Sequence, residues 1–200
     1  QAGVVHEVGA SIGRAEDLCN AAGVPCVIIT STDNLYHAAR YAAALLVPVD
    51  GHTPQATDII AVFDDDVVPG PRWLEAAHNA FEDWPDHEHR IVGGVARNVA
   101  GDGTQVAVPA QRNADIAVSF VGQATLMDRR TAALVFRAAP IDARNGWDDI
   151  HLCGEIHRHN GLSILVRQDP ERGDVCNTQP MRGADDVATY LTRPEHSLLR

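Results

Sequence analysis

Residues 59–81 read Ile-Ile-Ala-Val-Phe-Asp-Asp-Asp-Val-Val-Pro-Gly-Pro-Arg-Trp-Leu-Glu-Ala-Ala-His-Asn-Ala-Phe. Five apolar residues, Ile59 to Phe63, run straight into three carboxylates, Asp64, Asp65 and Asp66. The apolar run has the length of a buried strand. Pro69-Gly70-Pro71 then breaks the chain before a helix that carries Trp73, Leu74, Ala77 and Phe81 at helical spacing. Like charges at the mouth of a buried strand repel one another, and protonation or a bound cation relieves the repulsion. A solvated acidic turn is the plain alternative, but it needs no apolar strand to deliver it.

Upstream, Val4 to Val8 reads as a short strand, and Arg14 to Ala22 as a helix stopped by Gly23 in a left-handed cap. Val24 to Thr30 follows as a second strand. Ser31-Thr32-Asp33-Asn34 offers caps for a helix from about Leu35 to Val47, whose apolar face includes Ala38, Ala42 and Leu45. Strands alternating with helices predict an α/β fold with a largely parallel sheet. Downstream the pattern changes. After a polar turn with His87, Glu88 and His89, Ile91–Val95, Thr104–Val108 and Ala117–Leu126 read as extended, which predicts a mixed or antiparallel region. Asp128 caps an expected helix over Arg129 to Ala138. Asp148 or Asp149 opens another, with Ile150, Cys153 and Ile156 inward and Gly161 ending it, before a strand from Leu162 to Val166. One domain over residues 1–168 is expected, with 169–200 its C-terminal, flexible or acceptor-facing tail.

The chain has 200 residues, 45% of them hydrophobic, enough for one real core. A net charge of -11 argues against a general nucleic-acid-binding surface. All 16 basic residues are Arg, which removes P-loop and Schiff-base lysines from consideration and leaves anion binding to Arg or a metal. Cys19, Cys26, Cys153 and Cys176 form no CxxC pair, no apolar run approaches the ~18 residues of a membrane span, and the first residues do not read as a signal peptide. A soluble protein in a reducing, cytoplasmic setting is the expectation.

Ligands of parallel α/β sheets bind in the crevice beyond the strand ends, where the three aspartates are expected to sit. Carboxylates suit Mg²⁺ or Mn²⁺, and such ions take further ligands from a diphosphate, so a nucleotide is the natural partner. Gly146-Trp147-Asp148-Asp149 supplies a second acidic pair at a helix start. The macrodipole alone favours carboxylates there, but a Gly beside a Trp can also build a pocket wall.

Together these elements resemble a family. The strand ending in Asp64-Asp65-Asp66, with Val-Val-Pro-Gly-Pro-Arg-Trp-Leu after it, looks like the DxD region of GT-A glycosyltransferases of the family 2 type, and Trp147 to Leu152 is similar to their acidic "ED" motif. The helix with Ala39-Arg40-Tyr41-Ala42, the Val92-Gly93-Gly94 segment and the run from Gly122 to Arg130 resemble the matching segments in order, over roughly residues 4–168. The resemblance implies a Rossmann-like α/β/α sandwich with a mostly parallel central sheet. Val4 to Val8 looks like the family's second strand, so the opening strand is expected to be missing.

The resemblance further implies a metal-dependent, inverting transfer of a sugar from a nucleoside-diphosphate donor to an acceptor hydroxyl on a glycan, lipid or small molecule. Asp64 would contact the nucleoside and, with Asp66, a Mn²⁺ or Mg²⁺ ion. Asp65, Arg40 and Glu7 would lie near the nucleotide, and Trp147 would be an acceptor platform. Asp149 would be the general base, with Asp148, which stands where the family has Glu, as second choice. The plain readings are a surface arginine for Arg40 and a polar strand-end residue for Glu7. No HExxH pattern occurs, and the histidines read as surface or edge residues, with His196 a weak candidate for the metal shell. Two other functions compete: a non-catalytic sugar-nucleotide or metal-binding module, and a nucleotidyltransferase using Gly9-Ala10-Ser11-Ile12-Gly13-Arg14 as its Gly-rich loop.

Overall fold

The structure, a computed structural model, describes residues 17, 20–23, 39–46, 53–64, 67–137 and 148–178. The strands expected at Val4–Val8 and Val24–Thr30 lie outside them, as does the Gly-rich loop. Gly23 has φ +65° and its N–H bonds to Asn20 O at the end of a helical turn, as its reading as a cap required.

The elements in chain order are α1 (Ala39–Leu46), β1 (Ile59–Phe63), β2 (Val67–Pro69), α2 (Trp73–Glu82), β3 (Arg90–Val99), β4 (Gln105–Val108), β5 (Ile116–Val118), β6 (Phe120–Asp128), α3 (Arg129–Ala132) running into a 3₁₀ turn (Ala133–Phe136), α4 (Asp148–Arg158), β7 (Leu162–Leu165) and β8 (Cys176–Thr178). Among the described residues no helix is long and apolar enough to cross a membrane.

The sheet corrects the expected topology. Six strands run in the order β1-β6-β3-β7-β5, with β4 also on β3, and of their pairings only β3 with β7 is parallel. This is a mixed, mostly antiparallel sheet and not the mostly parallel Rossmann-like sheet that the alternation and the resemblance implied. The reason lies between β3 and β6. A parallel neighbour needs a crossover of a dozen or more residues, usually a helix, but residues 100–119 hold only turns and the short strands β4 and β5. The chain therefore reverses, and β6 enters between β1 and β3 antiparallel to both. The parallel β3–β7 pair is spanned by a connection that does contain a helix, α4.

Side chains alternate across this sheet. Ile91, Met127 and Leu165 pack with α1, α4 and the 3₁₀ turn, whereas Val92, Leu126 and Ile164 pack with Trp73, Ala77 and Phe81 of α2 on the other face. Strand β1 departs from a fully buried run. Ile60 and Val62 are buried, but Ile59 is 40% exposed and Ala61 shares its exposed face, so only one face of β1 is covered among the described residues. Leu74, read as part of the packed helical face, is 50% exposed. The expected strand over Ala117–Leu126 is two strands broken at Ser119, whose N–H donates to Asn98 Oδ1 and whose Oγ accepts from Val99 N. Asp128 caps α3 as expected, its Oδ1 accepting from Thr131 N at 2.7 Å. At the end of α4 the left-handed residue is Asn160, φ 57°, while Gly161 is needed for a close approach in which a Cβ would strike His89 O. The supposed tail begins as ordered structure: β8 pairs with β2, and residues 169–175 fold against the Gly70–Arg72 turn.

Among the described histidines, His89 is the exception to the reading as surface or edge groups. It is 7% exposed, with Nδ1 3.4 Å from Thr131 Oγ1 and its ring against His159. Burial lowers its pKa below the ordinary value, Glu88 and Asp128 working the other way and Arg130 and His159 with burial. The native state thus prefers neutral His89, and the unfolded chain binds the extra proton. The resulting stability is complete above about pH 6.5, the unfolded value, and is lost as pH falls toward the folded value. Urea denaturation at pH 7.5 and 5.5 is expected to show a smaller pH-dependent loss in His89→Gln than in the parent; equal losses would refute the assignment.

Candidate functional site

The end of β1 is pinned by an irregularity in β6. Between the pairs Gly93↔Thr125 and Val95↔Gly122 the register shifts, and Gln123 carries the extra residue of the bulge at φ 66°. Asp64, the first residue past β1, donates its N–H to Gln123 O at 2.7 Å. The bulge thus fixes where the acidic run leaves the sheet.

Asp149, in the first turn of α4, reaches the same place. Its carboxylate lies against Gly122, where a Cβ would come within 2.5 Å of Asp149 Oδ2. The missing side chain at 122 is what makes the seat. Helix α1 closes the group from the side. Arg40 Nη1 pairs with Asp64 Oδ1, Arg40 Nη2 donates to Asp149 Oδ1 at 3.1 Å, and the buried Tyr41 hydroxyl donates to the same Asp149 oxygen at 3.2 Å. The guanidinium also sits 5.3 Å from the centre of the Tyr41 ring, a cation–π contact. One planar fork thereby joins two carboxylates far apart in sequence. The side chains of Arg40, Asp64 and Asp149 are 22%, 28% and 24% exposed, so the centre is partly desolvated yet open to a ligand.

Burial and the nearby Asp64 carboxylate push the Cys176 thiol up to about 11, which keeps it protonated and inert at neutral pH. Gly94 lets Cys176 approach, since a Cβ there would lie 2.8 Å from Cys176 Cβ and 3.4 Å from Trp73 Nε1.

Of the residues singled out in the sequence, the structure brings Arg40, Asp64 and Asp149 together. Asp65, Asp66, Glu7, Trp147 and His196 lie outside the described residues, and of Asp148 only the backbone position, first in α4, is described. Tyr41, Gly122 and Gln123 were not singled out as site residues. Tyr41 carried no signal, because an aromatic at helical spacing reads as core. Gly122 and Gln123 form the kind of glycine-containing interruption that marks a bulge, but only the fold shows what faces it.

Asp64 is a hard oxygen donor at a place organised for positive charge, as the bridging guanidinium shows, and its chemistry fits Mn²⁺ or Mg²⁺. Among the described residues no three His, Cys, Asp or Glu converge to hold a metal ion, so Asp66 would have to complete such a site. Among the described histidines, His87 Nδ1 meets Asn160 O and His157 Nε2 meets Ser119 O.

No family model and no curated protein sequence matches this chain.

Proposed function

We propose that Asp64, Asp149 and Arg40 form the centre of a metal-dependent glycosyltransferase that moves a sugar, with inversion, from a nucleoside-diphosphate donor to an acceptor hydroxyl. The observation that carries this reading is the single guanidinium joining the end of β1 to the start of α4. It brings one carboxylate for the donor and one for the acceptor within reach of the same group.

In this reading Asp149 accepts the proton of the acceptor hydroxyl, whose oxygen forms the new bond to the anomeric carbon. The bond from that carbon to the diphosphate oxygen breaks, and the nucleoside diphosphate leaves with the electron pair. Arg40, in a chain without Lys, supplies the fixed positive charge beside the leaving group. A divalent ion on Asp64 and Asp66 would supply further charge neutralisation there. Hydrogen bonds from Tyr41 and Arg40, together with the Gly122 seat, hold Asp149 in one orientation, which proton transfer requires.

A non-catalytic nucleotide-binding module of the same centre is the second reading, favoured by the way Arg40 and Tyr41 already occupy Asp149. The two differ in turnover, since a module releases no nucleoside diphosphate from any donor. Thermal shift with a panel of nucleotides and nucleotide sugars tests the shared part. With Mn²⁺ and ligand near 100 times Kd, the melting temperature is expected to rise by roughly 5–10 °C. Asp66→Ala is expected to abolish that shift, and an undiminished shift would remove the site assignment.

A further inference from the structure

The geometry points to a second role for Arg40. We propose that it is a built-in counter-cation, filling the carboxylate centre until donor and divalent ion arrive and then passing from Asp64 to the donor's diphosphate. This rests on the reading of Asp64 as a cation ligand.

The argument begins with the fork. Different nitrogens of one guanidinium hold the two carboxylates, Nη1 on Asp64 and Nη2 on Asp149. Two ionised carboxylates this close repel each other in the absence of a cation, and Arg40 removes the repulsion at once. A divalent ion on Asp64 would meet the same guanidinium as a like charge, so the two compete for that carboxylate. The competition does not detach Arg40 from the site. Its Nη2 contact and its stacking beside Tyr41 are independent of Asp64, and both remain when Nη1 is displaced. Nη1, turned from Asp64, then lies next to the ion, where diphosphate oxygens must also lie, and donates to one of them while Nη2 keeps its contact with Asp149. One fixed positive charge thereby stays in the centre with and without donor, and the contact between Arg40 and Asp149 persists through the exchange.

The test measures binding and needs no turnover. Titration calorimetry with Mn²⁺ alone is expected to give about tenfold tighter binding in Arg40→Gln than in the parent, because the competing charge is gone. Inorganic pyrophosphate with saturating Mn²⁺ is expected to bind about tenfold more weakly to the same variant. Arg40→Lys keeps the charge and loses the second nitrogen, so its Mn²⁺ affinity should stay near the parent's while its pyrophosphate affinity falls. It carries the test should Arg40→Gln fail to fold, and parent-like pyrophosphate binding, or Mn²⁺ binding as much tighter as a lost charge would give, would then overturn the proposal. Unchanged or weaker Mn²⁺ binding in Arg40→Gln overturns it, as does pyrophosphate binding equal to the parent's, or absence of Mn²⁺ binding in both proteins. Tighter Mn²⁺ binding with weakened pyrophosphate binding, and no sugar released from any donor, upholds the counter-cation and removes the transferase reading. Transfer by the parent with Mn²⁺ affinity unchanged in the variant removes the counter-cation alone.

Discussion

Asp149→Asn is expected to bind the nucleotide donor with parental affinity and to transfer sugar about 10²–10⁴-fold more slowly, the range that a positioned general base contributes. Asn fills nearly the same volume and can still accept from Tyr41 and Arg40 through its carbonyl oxygen, so the contacts at 3.2 Å and 3.1 Å have a recipient and the seat against Gly122 stays filled. What is lost is the capacity to take a proton, together with the charge of the ion pair to Arg40. Single-turnover product formation, alongside a binding isotherm for the nucleoside diphosphate, separates the two effects. A variant that still transfers at the parental rate would move the base to Asp148, and one that also loses donor binding would show that Asp149 belongs to the charge balance of the donor site.

Trp73→Ala is expected to be the most damaging single truncation in the core, at about 3–5 kcal/mol. The indole is fully buried at the start of α2, edge-on to Phe63 with ring centres 5.4 Å apart, and it packs with Ala124, Leu126 and Cys176 beneath the end of β1. Its Nε1 has no hydrogen-bond partner among the described residues. A buried unpaired donor costs free energy in the native state, so Trp73→Phe gives back part of what it loses in area. Urea unfolding is expected to show Trp73→Phe losing less than half of what Trp73→Ala loses. Equal losses would mean that the indole N–H is satisfied and contributes to the fold.

What was legible in the sequence was local. The apolar run before Asp64 is a strand, Pro71 precedes a helix with Trp73 and Phe81 inward, Asp128 caps the next helix, and the acidic pair opens α4. Each of these signals lies within a few residues of its consequence. Strand direction is not of that kind. β6 pairs with β1 and β3 across long stretches of chain, and a single apolar run contains nothing that says which neighbour it will take. The break at Ser119 depends on Asn98 reaching over from β3, and the bulge at Gln123 on the register between two strands. The site shows the same division: Asp64 and Asp149 stand out by charge, whereas Tyr41 and Gly122, which hold Asp149, look like ordinary core and turn residues until the helix and strand that carry them are juxtaposed.

The fork of Arg40 also has a bearing on how the molecule comes to be made. Its contacts span 24 residues to Asp64 and 109 to Asp149, and the latter separation exceeds half of the 200-residue chain. Contacts of such high sequence separation carry a loop-closure entropy that local contacts do not, and the β2–β8 pairing, in which Val67 meets Thr178, is of the same kind. The helices and the β3–β4 hairpin can exist before the carboxylate centre does. The carboxylate centre, like the β2–β8 pair, then waits on parts of the chain that lie far apart in sequence.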